Sequence, residues 1–110
     1  MEKIRAHVHW KLRPNEVTIS TKGHHIYLGS QFQAYVNSNI IERMNFLLDS
    51  KRILLEPDKV GDFKIMRSHN ERNNPQVAIS IPHSVLGVLA KFSGRHLGKI
   101  TTKGIEIDIS

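Results

Sequence analysis

Apolar and polar residues alternate through Ile4, Ala6, Val8 and Trp10, a period of two that predicts a strand with one face on a core. Leu12-Arg13-Pro14-Asn15 breaks the pattern, because Pro14 fixes its own backbone and biases Arg13 away from helix. Alternation resumes at Val17 and Ile19 and, after Thr21-Lys22-Gly23, continues at Ile26 and Leu28, which predicts a hairpin. Ser30 and Gln33 have capping-box spacing, so a short helix is expected to start near Gln31 and to end at Asn37-Ser38-Asn39.

Ile40, Ile41, Met44, Leu47 and Leu48 also match helical spacing, whereas NFLLDSKRILLEP reads as two strands about a polar turn. The preferred reading is a hairpin turning at Asp49 to Lys51, with its second arm ending at Pro57. Phe63 and Ile65 predict a further strand, and the polar run RSHNERNNPQ, residues 67–76, an exposed loop. Val77, Ile79 and Ile81 form the next strand. Pro82 suits a first helical turn, and Val85, Leu86, Leu89 and Phe92 make that helix's apolar face. Gly94 is placed to cap it, and Lys103-Gly104 turns a closing hairpin between KITT and IEIDIS.

Residues 17–56 and 63–109 can therefore be read in one order: strand, turn, strand, short helix, strand, turn, strand. Two halves of one design and two unrelated β-rich segments both satisfy this pattern. VTISTKGHHIYLGSQF and VAISIPHSVLGVLAKFSG each set an alternating strand before a short helix. The arrangement resembles the swapped-hairpin domains of AbrB-type regulators and MazE-type antitoxins, best at ISIPHSVLGVL and the later Gly98, and less well in the first half, where Leu28-Gly29 stands in place of the family's proline. The resemblance implies a fused pseudo-dimer, related in shape to a double-psi barrel, that presents basic residues to DNA. The expected fold class is mainly β with two short helices, a compact barrel-like single domain over residues 1–110.

The composition changes this picture in one direction. With 110 residues, 39% hydrophobic and 24% charged, the chain suits one folded domain rather than an enzyme with separate substrate and cofactor domains. The absence of cysteine excludes disulfides, thiolate metal sites and cysteine nucleophiles. No apolar run is long enough to span a membrane, and MEKIRAHVHWKLRP lacks a signal peptide's apolar stretch, so a cytoplasmic location is expected. Sixteen Lys and Arg against ten Asp and Glu give a net charge of +6, which favours an anionic partner. Residues 64–103 concentrate it: Lys64, Arg67, Arg72, Lys91, Arg95, Lys99 and Lys103 stand against Glu71 alone.

If the RSHNERNN loop and an Arg95-His96 turn share one surface, they can hold phosphates, with Asn70, Asn73 and Asn74 as polar readers. The residues assigned to nucleic-acid contact are Arg67, Arg72, Arg95 and Lys99, with Lys22 and Lys51 as corresponding positions in the first half. Aromatic content of 6% without basic–aromatic interleaving gives no platform for stacking single strands. His7 and His9 share one face of the first strand, and His24 and His25 lie at a turn, but no further ligand stands at a recognisable spacing, so no metal or other cofactor is expected. Glu106 and Asp108 share a strand face without a partner cluster, Lys22-Gly23-His24 lacks the rest of a nucleotide-binding loop, and Ser30 and Ser84 read as helix starts. The expectation is a non-enzymatic duplex-DNA-binding protein, a transcriptional regulator of bacterial or phage type. The alternative is an oligomeric protein that binds a protein partner or a small anion, as an inhibitor or sequestering protein. Exposed sheet edges, or an apolar stripe at Phe32, Tyr35 and Val36, would favour a homo-oligomer; a closed monomeric barrel is the competing expectation.

Overall fold

The computed structural model describes residues 12–69 and 75–110. The expected strand at residues 4–10, with His7 and His9, lies outside them, as do Arg72 and the three loop asparagines. Eight antiparallel strands close into a barrel: β1 (Glu16–Ser20), β2 (His25–Leu28), β3 (Arg43–Leu48), β4 (Arg52–Pro57), β5 (Phe63–His69), β6 (Pro75–Ser80), β7 (Gly94–Thr101) and β8 (Gly104–Asp108), in the order β1-β2-β6-β5-β3-β4-β8-β7. Helix α1 (Ser30–Ser38) joins β2 to β3. Between β6 and β7 runs a broken helix, a 3-10 turn at His83–Val85, α2 (Leu86–Leu89) and a second 3-10 turn at Ala90–Phe92. The fold is thus mainly β with two short helices, a compact single barrel.

Alternation dictates what fills it. Val17, Ile19, Ile26, Leu28, Ile53, Leu55, Phe63, Ile65, Val77, Ile79, Ile105 and Ile107 are all buried on inward strand positions. Since β2 and β6 are antiparallel neighbours, the connections that follow them leave opposite ends of the barrel. α1 adds Phe32 and Val36 to the core and α2 adds Leu89, with Val85, Leu86 and Phe92 packed around it. Phe32 and Val36 are fully buried and Tyr35 partly so, which overturns the reading of that stripe as an interface. The closed ladder also removes the sheet edges that would favour self-association.

The pairing registers repeat between the two parts of the chain. Thr18↔Tyr27 and Ile19↔Ile26 occupy the places that Lys64↔Ser80 and Ile65↔Ile79 hold later. Phe46↔Leu55 and Leu47↔Leu54 match Gly98↔Ile107 and Lys99↔Glu106, while Arg43↔Lys64 and Met44↔Phe63 match Arg95↔Thr18 and His96↔Val17. β2 pairs with its counterpart β6, and β4 with its counterpart β8. A pseudo-two-fold axis therefore passes between β2 and β6 on one side of the barrel and between β4 and β8 on the other.

Several local expectations change. The capping box does not form: Gly29 is the N-cap, and Ser30 already lies inside the helix. The chain before β1 substitutes for it, with Pro14 O accepting from Gln31 N at 3.1 Å, while Gln33 Nε2 donates to Leu28 O at 2.8 Å. Gly29 (φ −67°, ψ 166°) and Pro82 (φ −60°, ψ 142°) adopt equivalent backbone before their helices. Proline cannot serve at Gly29, because Gly29 N donates to Glu16 O at 2.8 Å and a Cβ there would lie 2.2 Å from Arg13 O. The loop expected over residues 67–76 is shorter, since β5 and β6 stay paired to His69↔Pro75. Arg95 and His96 lie within β7 rather than in a turn; Gly94, at φ +121°, makes the turn after the broken helix.

Candidate nucleic-acid interface

The outward positions of β1, β2, β6 and β5, with one residue from each flanking strand, form two rows. The first runs Arg95–Thr18–Tyr27–Ala78–Met66, and the second Arg43–Lys64–Ser80–His25–Ser20. Each row is the image of the other about the pseudo-two-fold axis, and each begins with an arginine. Three of the ten residues are basic, four carry hydroxyls, and none is a carboxylate. Arg43, Lys64, Arg95, Tyr27 and Met66 are exposed. Arg43 Nη1 donates to Gly61 O at 3.2 Å, which holds the guanidinium at the β3–β5 edge. His25 Nδ1 meets Gly23 O at 2.5 Å and its ring lies 5.8 Å from that of Tyr27, so both rings are fixed on this face. Lys22 extends the face from the β1–β2 turn, where Ser20 Oγ accepts from Gly23 N at 3.1 Å. Glu16, one row away on β1, accepts from Arg13 N at 2.9 Å.

The six residues assigned from sequence do not form one surface. Lys22 and Arg95 belong to the face just described, and Arg72 lies outside the described residues. Arg67, though exposed, is engaged within the chain: its guanidinium donates to Ile41 O at 3.1 Å, Glu42 Oε2 at 3.2 Å and Asn37 Oδ1 at 3.3 Å, tying β5 to the end of α1. Lys51 occupies the β3–β4 turn, and Lys99 Nζ sits 3.7 Å from Glu106 Oε1 on the β4–β8 side. Lys91 is on the second 3-10 turn and Lys103 on the β7–β8 turn, so the cations of residues 64–103 are spread around the barrel. Sequence reasoning missed Arg43 and Lys64 as partners. The outward position of Lys64 follows from its place between Phe63 and Ile65, but its pairing with Arg43 depends on β3 lying beside β5, which alternation does not encode.

The opposite side is electrostatically different. Arg52 Nε lies 3.1 Å from Asp49 Oδ2, and Arg52 Nη1 and Lys99 Nζ both reach Glu106 Oε1, at 3.5 and 3.7 Å. Glu106 and Asp108 do share an outward strand face, but Glu106 is engaged by these two cations, and Asp108 Oδ1 accepts from Ser110 N and Oγ. Hydrogen bonds from Ser110 hold the Asp108 carboxyl below its usual range. His24 and His83 stand edge to face at 6.4 Å. Among the described residues no group of three or more His, Asp or Glu is placed to hold a metal ion, and no helix is long and apolar enough to cross a membrane. No known protein family, curated protein or solved structure matches this chain.

Proposed function

We propose that this protein binds duplex DNA through the outer face of β1, β2, β6 and β5, as a small regulator without catalytic chemistry. The observation that carries the reading is the pair of symmetry-related rows with Arg43, Lys64 and Arg95 and no carboxylate among their ten residues. Phosphate oxygens are acceptors that such a surface receives without leaving a buried negative charge opposed. Four strands spaced about 4.8 Å apart span about 14 Å between the outer two, wider than the roughly 12 Å major groove. The face therefore lies across the groove with its cations on the flanking phosphates, and the hydroxyls of Thr18, Ser20, Tyr27 and Ser80 supply further donors. Affinity on this reading is dominated by phosphate contacts and depends strongly on salt.

The test is binding of a labelled duplex across a salt series. The wild-type protein is expected to lose affinity steeply with salt, and the Arg43→Ala, Lys64→Ala double variant to bind more weakly with a log–log slope shallower by roughly two, about 0.9 for each phosphate that is no longer neutralised. Lys99→Ala, on the side where Glu106 already neutralises it, is expected to leave the slope unchanged. No binding at low salt, or a double variant indistinguishable from wild type, would remove this face from consideration.

A further inference from the structure

The four-strand face centred on β4 and β8 has the composition of a contact surface. One outward row is Leu47–Leu54–Glu106–Lys99, and the next holds the pair Arg52–Asp108. Asp49, whose N–H donates to Arg52 O at 3.0 Å, stands on one side of that pair, and Leu97 of β7, which lines a hollow with Asp108, on the other. Leu47 is 52% exposed and Leu97 54%, and they stand at opposite corners of this face, on β3 and β7; Leu48, 40% exposed and in register with buried Ile53, lines the hollow beside Leu47 at the barrel end. Two adjoining hollows of about 460 and 390 Å3 cross it, sharing Arg52 and Glu106. Among the described residues no helix lies over the face, since both helical connections run between strands at the barrel ends.

Charge indicates what covers it. Apart from Arg43 and Arg95, which belong to the cationic face, β3, β4, β8 and β7 with the β3–β4 and β7–β8 turns carry Arg52, Lys99, Lys51 and Lys103 against Asp49, Glu56, Glu106 and Asp108, a balanced set on a chain whose total is +6. Two copies of a basic protein repel each other through every surface that shares the excess charge. A two-fold contact, in which one patch meets itself, requires a patch that holds both signs and apolar area. The β4–β8 face meets that requirement and the β2–β6 face, which carries only cations in its two rows, does not. We infer that this face is the interface through which a second copy of the chain docks, with Leu47 and Leu97 as its apolar anchors and the Asp49–Arg52–Glu106–Lys99 chain as its polar frame. Because the barrel is closed, the association is face to face and no strand is added to a ladder.

The inference stands apart from DNA binding and is tested without nucleic acid. Sedimentation velocity of the full chain over a concentration series is expected to show a reversible monomer–dimer equilibrium. Leu47→Asp and Leu97→Asp are each expected to raise the dimer dissociation constant about tenfold and together to leave a monomer, with far-UV circular dichroism and melting temperature close to wild type because both side chains are already half exposed. Lys64→Ala, on the opposite face, is expected to leave the equilibrium unchanged. A chain that is monomeric throughout the series, or a dimer indifferent to the double leucine substitution, would overturn the assignment. Should the leucine variants unfold, Lys99→Glu supplies the second measure: it gives this face excess negative charge and must weaken the dimer for the assignment to stand.

Discussion

At the scale of the residue, the clearest conflict between side chain and backbone is Ile40. It follows α1 with φ +52°, a left-handed conformation that costs an ordinary L-residue about 1–2 kcal/mol and is worse for a β-branched one. Its side chain is 78% exposed, so burial gives almost nothing back. The conformation persists because both neighbours are committed: Asn39 Nδ2 donates to Tyr35 O at 2.9 Å, and Ile41 is buried with its N–H on Val36 O at 3.0 Å. Glycine adopts this backbone without strain, at the cost of a more flexible unfolded chain. Ile40→Gly is therefore expected to stabilise the protein by roughly 0.5–1 kcal/mol, seen as a melting temperature higher by about 2–6 °C. An unchanged or lower melting temperature would mean that the isoleucine makes a compensating contact.

At the scale of the element, what the sequence discloses depends on how local the cause is. The β3–β4 hairpin is legible because its turn is self-contained: Asp49 Oδ1 accepts from Lys51 N at 2.8 Å and Arg52 N at 3.0 Å, and these bonds decide the turn against the competing helical spacing. The same bonds, with the Arg52 guanidinium, hold the Asp49 carboxyl below its ordinary value of 3.8. A carboxyl lowered in the folded state contributes stability above its ordinary value, and that contribution is lost as pH falls through the lowered one. Asp49→Ala is accordingly expected to melt below wild type from pH 7 to pH 5 by a constant margin that closes as pH drops under about 4; a margin that persists in acid would place the contribution in turn geometry rather than charge. The start of α1 is misleading for the opposite reason. Its orphan N–H groups are met by the carbonyls of Pro14 and Gly29, and Pro14 comes from a distant part of the chain, so Ser30 and Gln33 have the spacing of a cap without its job. The polar run over residues 67–76 overstates the loop because strand pairing continues through it once Ile65 and Val77 have set the register. Arg67, assigned to DNA because it opens that run, is taken by Ile41, Asn37 and Glu42, an arrangement visible only when α1 lies beside β5.

At the scale of the whole molecule, the closed order of eight strands sets the β2–β6 and β4–β8 pairs diametrically opposite each other. One side carries cations without carboxylates in its rows, and the other carries leucines and balanced charge. If the balanced face joins two copies, the two cationic faces point away from each other, and the dimer holds two duplexes on opposite sides rather than one duplex in a cleft. The consequence differs from that of either proposal alone. A biotinylated duplex fixed to beads is expected to retain a second, fluorescent duplex when wild-type protein is added, with retention falling steeply as salt rises. The Leu47→Asp, Leu97→Asp variant is expected to bind a single duplex with near wild-type intrinsic affinity and to retain no second one, because its cationic face is untouched and only the link between copies is broken. The Arg43→Ala, Lys64→Ala variant is expected to remain a dimer and retain little of either duplex. A wild-type dimer that binds one duplex and never bridges two would contradict the opposed arrangement, since closed-barrel geometry leaves both cationic faces open whenever the copies meet through β4 and β8.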